Sequence, residues 1–142
     1  MKLRVLFLCT HNACRSQMAE ALLRLRYGGT FEAFSAGTQP SEVNPNAITV
    51  MDELGIDIST QSSEHLQTYL DQPFDAVVTT CDNAQSSCPV FPGARRVIHH
   101  SFADPSAATG SKAEILESFR EVRDAIDEWI VATFEPRTFG TH

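Results

Sequence analysis

The sequence predicts an α/β fold, a four-stranded parallel sheet with helices on both faces. Three observations predict it. Short apolar runs of strand length alternate with amphipathic stretches of helix length. The first run, Leu3–Leu8, is almost continuously apolar, as expected of a strand buried on both faces. The chain has 142 residues, the length of one ordinary domain, and successive parallel strands need the right-handed crossovers that the helical stretches provide.

The elements come in order along the chain. Residues 15–27 read as a helix with Met18, Ala21, Leu22 and Leu25 on one face, ended by Gly28-Gly29. Residues 30–35 form a second strand, closed by Gly37. Asn44-Pro45 opens a second helix, Asn as N-cap and Pro in the first helical position, with Ile48, Met51 and Leu54 as its face and Gly55 as its stop. A short amphipathic turn lies near 63–70, and 74–80 is a third apolar strand. Residues 82–94 carry Pro89, Pro92 and Gly93 and read as a loop. Residues 96–99 form a weaker fourth strand. Ser111 and Glu114 make a capping box for a last helix, whose stripe is Ile115, Phe119, Val122, Ile126, Trp129, Ile130 and Thr133. Pro136 ends it, so a single domain is expected over 1–135 and a frayed tail over 136–142.

Composition narrows the function. Apolar residues make up 42% and charged residues 20%, which excludes disordered and collagen-like classes. A net charge of −7 argues against nucleic acid, which wants a basic face. No apolar stretch approaches the ~20 residues of a membrane span, and Val5–Leu8 is too short for a signal peptide, so a cytoplasmic protein is expected. The charge is uneven: +4 over residues 1–26 and −11 over the rest. Of the early basic residues only Arg15 falls where a ligand can be held. Of four cysteines, Cys9 and Cys14 are spaced C-x4-C and Cys81 and Cys88 C-x6-C. In a cytosolic chain these point to metal or redox chemistry, and the spacings do not favour zinc.

In a parallel sheet all strands end on one edge, and ligands bind there. Cys9, Ser35-Ala36-Gly37, Cys81 and the 101–104 segment with Asp104 all lie just past strand ends. The segment Cys9-Thr10-His11-Asn12-Ala13-Cys14-Arg15-Ser16 joins the first strand to the first helix. Such a loop turns its amides inward as an anion cradle, and the helix dipole adds positive charge. Arg15 supplies a planar fork for two oxygens of a tetrahedral oxyanion. Cys9 at the floor of that ring is favoured as a thiolate, to which Ser16 can donate. Asn12 suits a left-handed loop position. The bland alternative, a core cysteine and a solvated arginine, is outweighed by the flanking strand and helix.

This segment resembles the active-site loop of the low-molecular-weight tyrosine phosphatase fold. The wider chain is similar to the thioredoxin-coupled arsenate reductases built on that fold. Further residues carry the resemblance: Gln17 to Glu20, Ser35-Ala36-Gly37, Asn44-Pro45, 55–59, Val78 to Asp82, Cys88-Pro89 and Phe102 to Pro105. It implies a catalytic domain that reduces arsenate to arsenite in arsenic detoxification. Cys9, Cys81 and Cys88 fall on three redox positions, residues 10–15 on the anion loop, and Asp104 on a general acid. Asn12, Glu20, Ser35, Ser62 and Glu64 match a potassium site of some relatives, or else brace loops by hydrogen bonds. No tightly bound cofactor is implied. The implied partners are arsenate, competing phosphate or sulfate, and thioredoxin, with glutathione–glutaredoxin as the other reductant, acting on a monomer. Two departures stand out: His11 where some members have Gly, and His100-Ser101 in place of a His-Trp type segment.

The chemistry agrees with this reading. Phosphorus(V) is not reduced by thiols and arsenic(V) is, so a reductase needs a second thiol near Cys9 and a third to pass the disulfide outward. Cys14 has no step to perform and reads as buried filler. Asp104 before Pro105 is either a general acid or an Asx-turn residue. His99 and His100 read as structural. A tyrosine phosphatase is the first alternative, though Ser106-Ala107-Ala108-Thr109-Gly110 is too small to grip a phenyl ring. A thiol sensor or arsenite-binding module is the second, and it would not need Arg15.

Overall fold

The computed structural model describes residues 2–9, 11, 13–80 and 92–139. Four strands, β1 (Leu3–Cys9), β2 (Phe31–Gly37), β3 (Ala76–Thr79) and β4 (Val97–His99), form one sheet in the order β2-β1-β3-β4. Every pairing is parallel. The helices are α1 (Arg15–Tyr27), α2 (Pro45–Asp52) and α3 (Lys112–Thr133). One-turn 3-10 helices span Leu66–Thr68 and Pro105–Ala107.

The predicted element order therefore stands, and α1 runs over the residues its periodicity marked. Its ending differs in mechanism. Gly28 has φ −62°, not a left-handed conformation. A side chain there would collide with the Arg24 carbonyl oxygen, so space and not dihedral freedom calls for glycine. The second strand extends to Gly37, which pairs with Cys9. The α2 face also differs: Ala47, Val50 and Met51 are buried, whereas Leu54 is 39% exposed. The chain leaves that helix at Glu53 and Gly55 takes φ +76°, so Leu54 lies past the helical register. Asn44 caps α2 as expected, accepting from the Asn46 N–H at 2.8 Å. The α3 capping box is complete, with both Ser111 and Glu114 bonds formed.

The two sheet faces are covered unequally. On one, Val5, Phe7, Ala76 and Val78 join buried residues of all three α-helices in the larger core cluster. On the other, Leu6, Leu8 and Val77 pack with Leu66 and Phe74, flanked by Phe34 and Tyr69. The tail expectation needs correction over 136–139. Phe139 stacks on Phe134 at 5.1 Å and meets Phe31 edge-on at 5.1 Å, so apolar contact holds the chain beyond Pro136. Residues 140–142 lie outside the described residues.

Strand order fixes where a ligand fits. The chain leaves β1 toward β2 on one side, while β3 lies on the other, so the crevice opens at the carboxyl ends of β1 and β3. Thr80 closes that edge: its N–H and its hydroxyl both donate to the Leu8 carbonyl at 2.8 Å, one residue before Cys9. Phe139→Ala is expected to destabilise the protein by about 1–2 kcal/mol, from lost ring burial and lost ring pairs. Urea unfolding measures it, and an unchanged midpoint would mean the tail is not docked.

Candidate active site

Cys9 ends β1 almost fully buried, and its Sγ lies 2.8 Å from the hydroxyl of Ser16 in the first turn of α1. Cys14 stands at the N-cap of α1 without a side-chain capping bond. The start of a thirteen-residue helix, with its dipole and first amides, thus faces the same space as the thiol. That space is a cavity of about 450 Å³ lined by Cys9, His11, Ala13, Cys14, Arg15 and Asp104, with residues 41–45 and Ser106 as the opposite wall.

Arg15 is held by backbone. Its Nη1 donates to the Phe102 carbonyl at 3.0 Å, and Nη2 lies 3.6 Å from Asp104 Oδ2. Its Nε is buried with no hydrogen-bond partner among the described residues. A buried donor left unmade costs about 1–3 kcal/mol, more for a charged group. The edge of the fork carrying Nε is therefore the edge an oxyanion would satisfy.

The loop is braced from outside. The His11 carbonyl accepts from the Ser41 N–H at 3.0 Å and the Ser63 hydroxyl at 2.9 Å, and the Ala13 carbonyl accepts from the Asn44 N–H at 2.9 Å. The His11 ring nitrogen Nδ1 lies 3.0 Å from the Gln39 carbonyl, so the departure from glycine adds a further tie to the neighbouring segment. Thr10 and Asn12 lie outside the described residues, as do Cys81 and Cys88.

Asp104 takes the turn role that its place before Pro105 offered, and it also lines the cavity. It is an Asx-turn residue, its Oδ1 accepting from the Ser106 N–H at 3.0 Å and hydroxyl at 2.7 Å. Its Oδ2 is the oxygen toward Arg15, and the residue lines the cavity, 41% exposed. His99 is tied to β3 through the Thr79 hydroxyl at 2.6 Å. His100 stacks on Trp129 at 4.9 Å and touches the Phe102 ring at 4.7 Å.

Glu20, Ser35, Ser62 and Glu64 line a second cavity of about 440 Å³. There the Ser35 hydroxyl donates to Glu20 at 2.6 Å and the Ser62 hydroxyl to Glu64 at 2.7 Å. The other Glu20 oxygen carries Arg24 at 2.8 Å. Each of the four thus makes a hydrogen bond within the set, Ser35 with Glu20 and Ser62 with Glu64, while Asn12 lies outside the described residues.

Sequence reasoning missed Phe102, Ser63 and Trp129. Phe102 acts through its carbonyl and Ser63 through a bond across 52 positions, so no local motif marks either. The Trp129 position on the apolar stripe of α3 was readable, but not its contact with His100.

A buried cysteine beside a helix N-terminus, sharing a cavity with an arginine, is the arrangement expected of the cysteine-based phosphatase class. The chain belongs to the low molecular weight phosphotyrosine protein phosphatase family, whose model matches residues 4–135. It is 44% identical over 126 residues to the arsenate reductase of Halalkalibacterium halodurans, spanning 89% of this chain and 91% of that one. A solved arsenate reductase in the phosphate binding state is similar at TM-score 0.79 and 32% identity, over 93% and 95% of the two chains. The thioredoxin-dependent arsenate reductase of Corynebacterium glutamicum is similar at TM-score 0.67 and 31% identity, over 92% of this chain and 61% of that one.

Burial, with the Cys9 and Asp104 charges adding to it, pushes the Cys14 thiol from 9.0 up to about 12. It stays protonated at neutral pH, as filler should. Unfolded, it releases its proton near 9.0, while the folded chain holds it to about 12. In that window the folded state binds more protons, so stability falls as pH rises, by about 1.4 kcal/mol per pH unit. Cys14→Ala is expected to flatten this alkaline slope in urea unfolding between pH 8 and 10.5; an equal slope in both proteins would contradict it.

Proposed function

We propose that the protein is an arsenate reductase that uses Cys9, Cys81 and Cys88 as a thiol relay, with thioredoxin as the external reductant. The observation that carries the oxyanion half is Arg15 lining one cavity with Cys9, its buried Nε without a hydrogen-bond partner among the described residues. The redox half is supported by the two further cysteines in the sequence and by the likeness to arsenate reductases.

Arsenate is held by Arg15 and the amides of residues 10–15, with phosphate and sulfate as competitors. The Cys9 thiolate, steadied by the Ser16 hydroxyl, attacks arsenic, and Asp104 gives a proton to the departing oxygen. With Oδ1 occupied by Ser106, Oδ2 is the oxygen left to carry that proton. Cys81 then attacks the Cys9 sulfur. The sulfur–arsenic bond breaks with its electron pair left on arsenic, which leaves as arsenite, arsenic(III), while the two thiols become a disulfide. Cys88 attacks Cys81, frees Cys9, and presents a Cys81–Cys88 disulfide to thioredoxin. The reaction uses no tightly bound cofactor, and a monomer in the cytoplasm suffices for it.

Arsenite release with thioredoxin and its reductase, set beside the glutathione–glutaredoxin pair, tests the reading. Cys9→Ala should release none. Cys88→Ser should release one equivalent and stall as a Cys9–Cys81 disulfide, visible by peptide mapping. Steady turnover by Cys88→Ser at the parent rate would remove Cys88 from the mechanism.

Asp104→Asn is expected to slow the chemical step by about 10²–10⁴-fold with little change in phosphate affinity. Single-turnover kinetics beside phosphate titration reads both. A loss of affinity at unchanged chemical rate would make Asp104 a structural turn residue.

A further inference from the structure

We propose that Ser63, outside the loop motif, is a positioning residue for the oxyanion cradle. Its hydroxyl fixes the His11 carbonyl on the outside of the loop. The proposal rests on the reading of residues 9–15 as an oxyanion loop and names a residue that sets its affinity.

A trans peptide points its C=O and the following N–H in opposite directions. An amide aimed at an anion therefore requires the preceding carbonyl to be turned outward and satisfied there. Two carbonyls of the described loop residues, those of His11 and Ala13, are held by segments outside the loop, and their anchors differ in kind. The Ala13 carbonyl accepts from the Asn44 backbone N–H, a bond that survives any side-chain change at Asn44 except proline. The His11 carbonyl depends on a side chain as well. Ser63 Oγ donates to it at 2.9 Å and accepts from the Ser41 N–H at 3.0 Å, while that N–H also reaches the His11 carbonyl at 3.0 Å. One hydroxyl thus joins the loop, the segment before α2 and the segment after it.

Ser63 is itself pinned on both sides. Gln17 Nε2, buried in α1, donates to the Ser62 carbonyl at 3.0 Å. The Gly37 N–H, at the end of β2, donates to the Glu64 carbonyl at 2.8 Å. The hydroxyl is therefore presented from a fixed backbone, and a fixed donor preorganises what it holds. Without it the Ser41 N–H still holds the His11 carbonyl, so the cradle should loosen and not collapse.

An oxyanion is held by the loop both before and during reaction. Loosening the loop therefore raises KM more than it lowers kcat. Ser63→Ala is expected to weaken phosphate binding about two- to tenfold, the range that one lost hydrogen bond spans. The KM for arsenate should rise by the same factor with kcat within about twofold. Ser63→Thr, which keeps the hydroxyl, should match the parent. Phosphate affinity is read as protection of Cys9 from alkylation, followed by peptide mapping, so no arsenate turnover is needed.

Parent-like phosphate affinity in Ser63→Ala overturns the proposal, and so does Ser63→Thr being as weak as Ser63→Ala. If Ser63→Ala melts well below the parent, Ser63→Val set beside Ser63→Thr makes the comparison at matched shape: valine must weaken binding and threonine must not. A parent that binds phosphate but reduces no arsenate overturns the reductase reading and leaves this one intact. A parent that binds no phosphate overturns the role given to Ser63.

Discussion

The buried Arg15 guanidinium is the constraint around which the carboxyl edge of the sheet is built. Burying a charge is costly unless it is hydrogen-bonded and paired. Here one donor meets the Phe102 carbonyl, one faces Asp104 at 3.6 Å, and the buried Nε has no hydrogen-bond partner among the described residues. Two neutral or distant partners do not compensate such a cation fully, and the remaining deficit favours an oxyanion. The Phe102 carbonyl must then stay fixed. The Phe102 N–H donates to the Thr80 carbonyl at 3.1 Å, and Thr80 is locked to Leu8 at the crevice. The Phe102 ring is buried against Trp129 of α3 at 5.8 Å. Strand pairing and an aromatic contact thus both set the direction of one side chain.

The helix side of the molecule has a simpler task. Surface ion pairs such as Arg26 with Asp127 are worth little each. What holds α1, α2 and α3 in place is the apolar cluster under them, with Met18, Val50 and Phe119 fully buried. One polar contact in that layer is of a different kind. Arg123, 8% exposed, donates to the Val50 carbonyl at 2.8 Å, in the last turn of α2. It satisfies an orphan carbonyl and fixes α2 against α3. That in turn holds Asn44, and through its N–H the Ala13 carbonyl of the loop.

Legibility in the sequence tracked the range of the interaction. The Asn44 cap, the Ser111–Glu114 box and the alternation of strands and helices are local signals, and each was readable. The C-x5-R-S segment was readable because strand, loop and helix dipole are contiguous. Leu54 misled, since a 3.6-residue period does not say where Gly55 will end the helix. The tail misled because Pro136 marks the end of α3 but says nothing of Phe139 finding Phe134 and Phe31. The contacts of Ser63 and of the Phe102 carbonyl were not readable. Their roles depend on which carbonyl they meet or present, and only the folded sheet decides that. The roles expected of Cys81 and Cys88 fall on residues outside those described.

In the proposed mechanism, anion binding and electron transfer fall to separable parts of this chain. Arsenate and phosphate have the same shape and charge pattern, so a cradle of the proposed kind, built on Arg15 and a helix N-terminus, takes both alike. The two chemistries part only after the first covalent step. A phosphoryl group on Cys9 can leave only to water or another acceptor, because phosphorus(V) takes no electrons from a thiol. An arsenic(V) adduct has a second exit, reduction, once another thiol can attack the Cys9 sulfur. Residues of the cradle therefore govern both chemistries together, and thiols beyond it govern only the second. In the proposed relay, reduction therefore asks only for thiols that can reach Cys9, and asks no change of the loop proposed to hold the oxyanion.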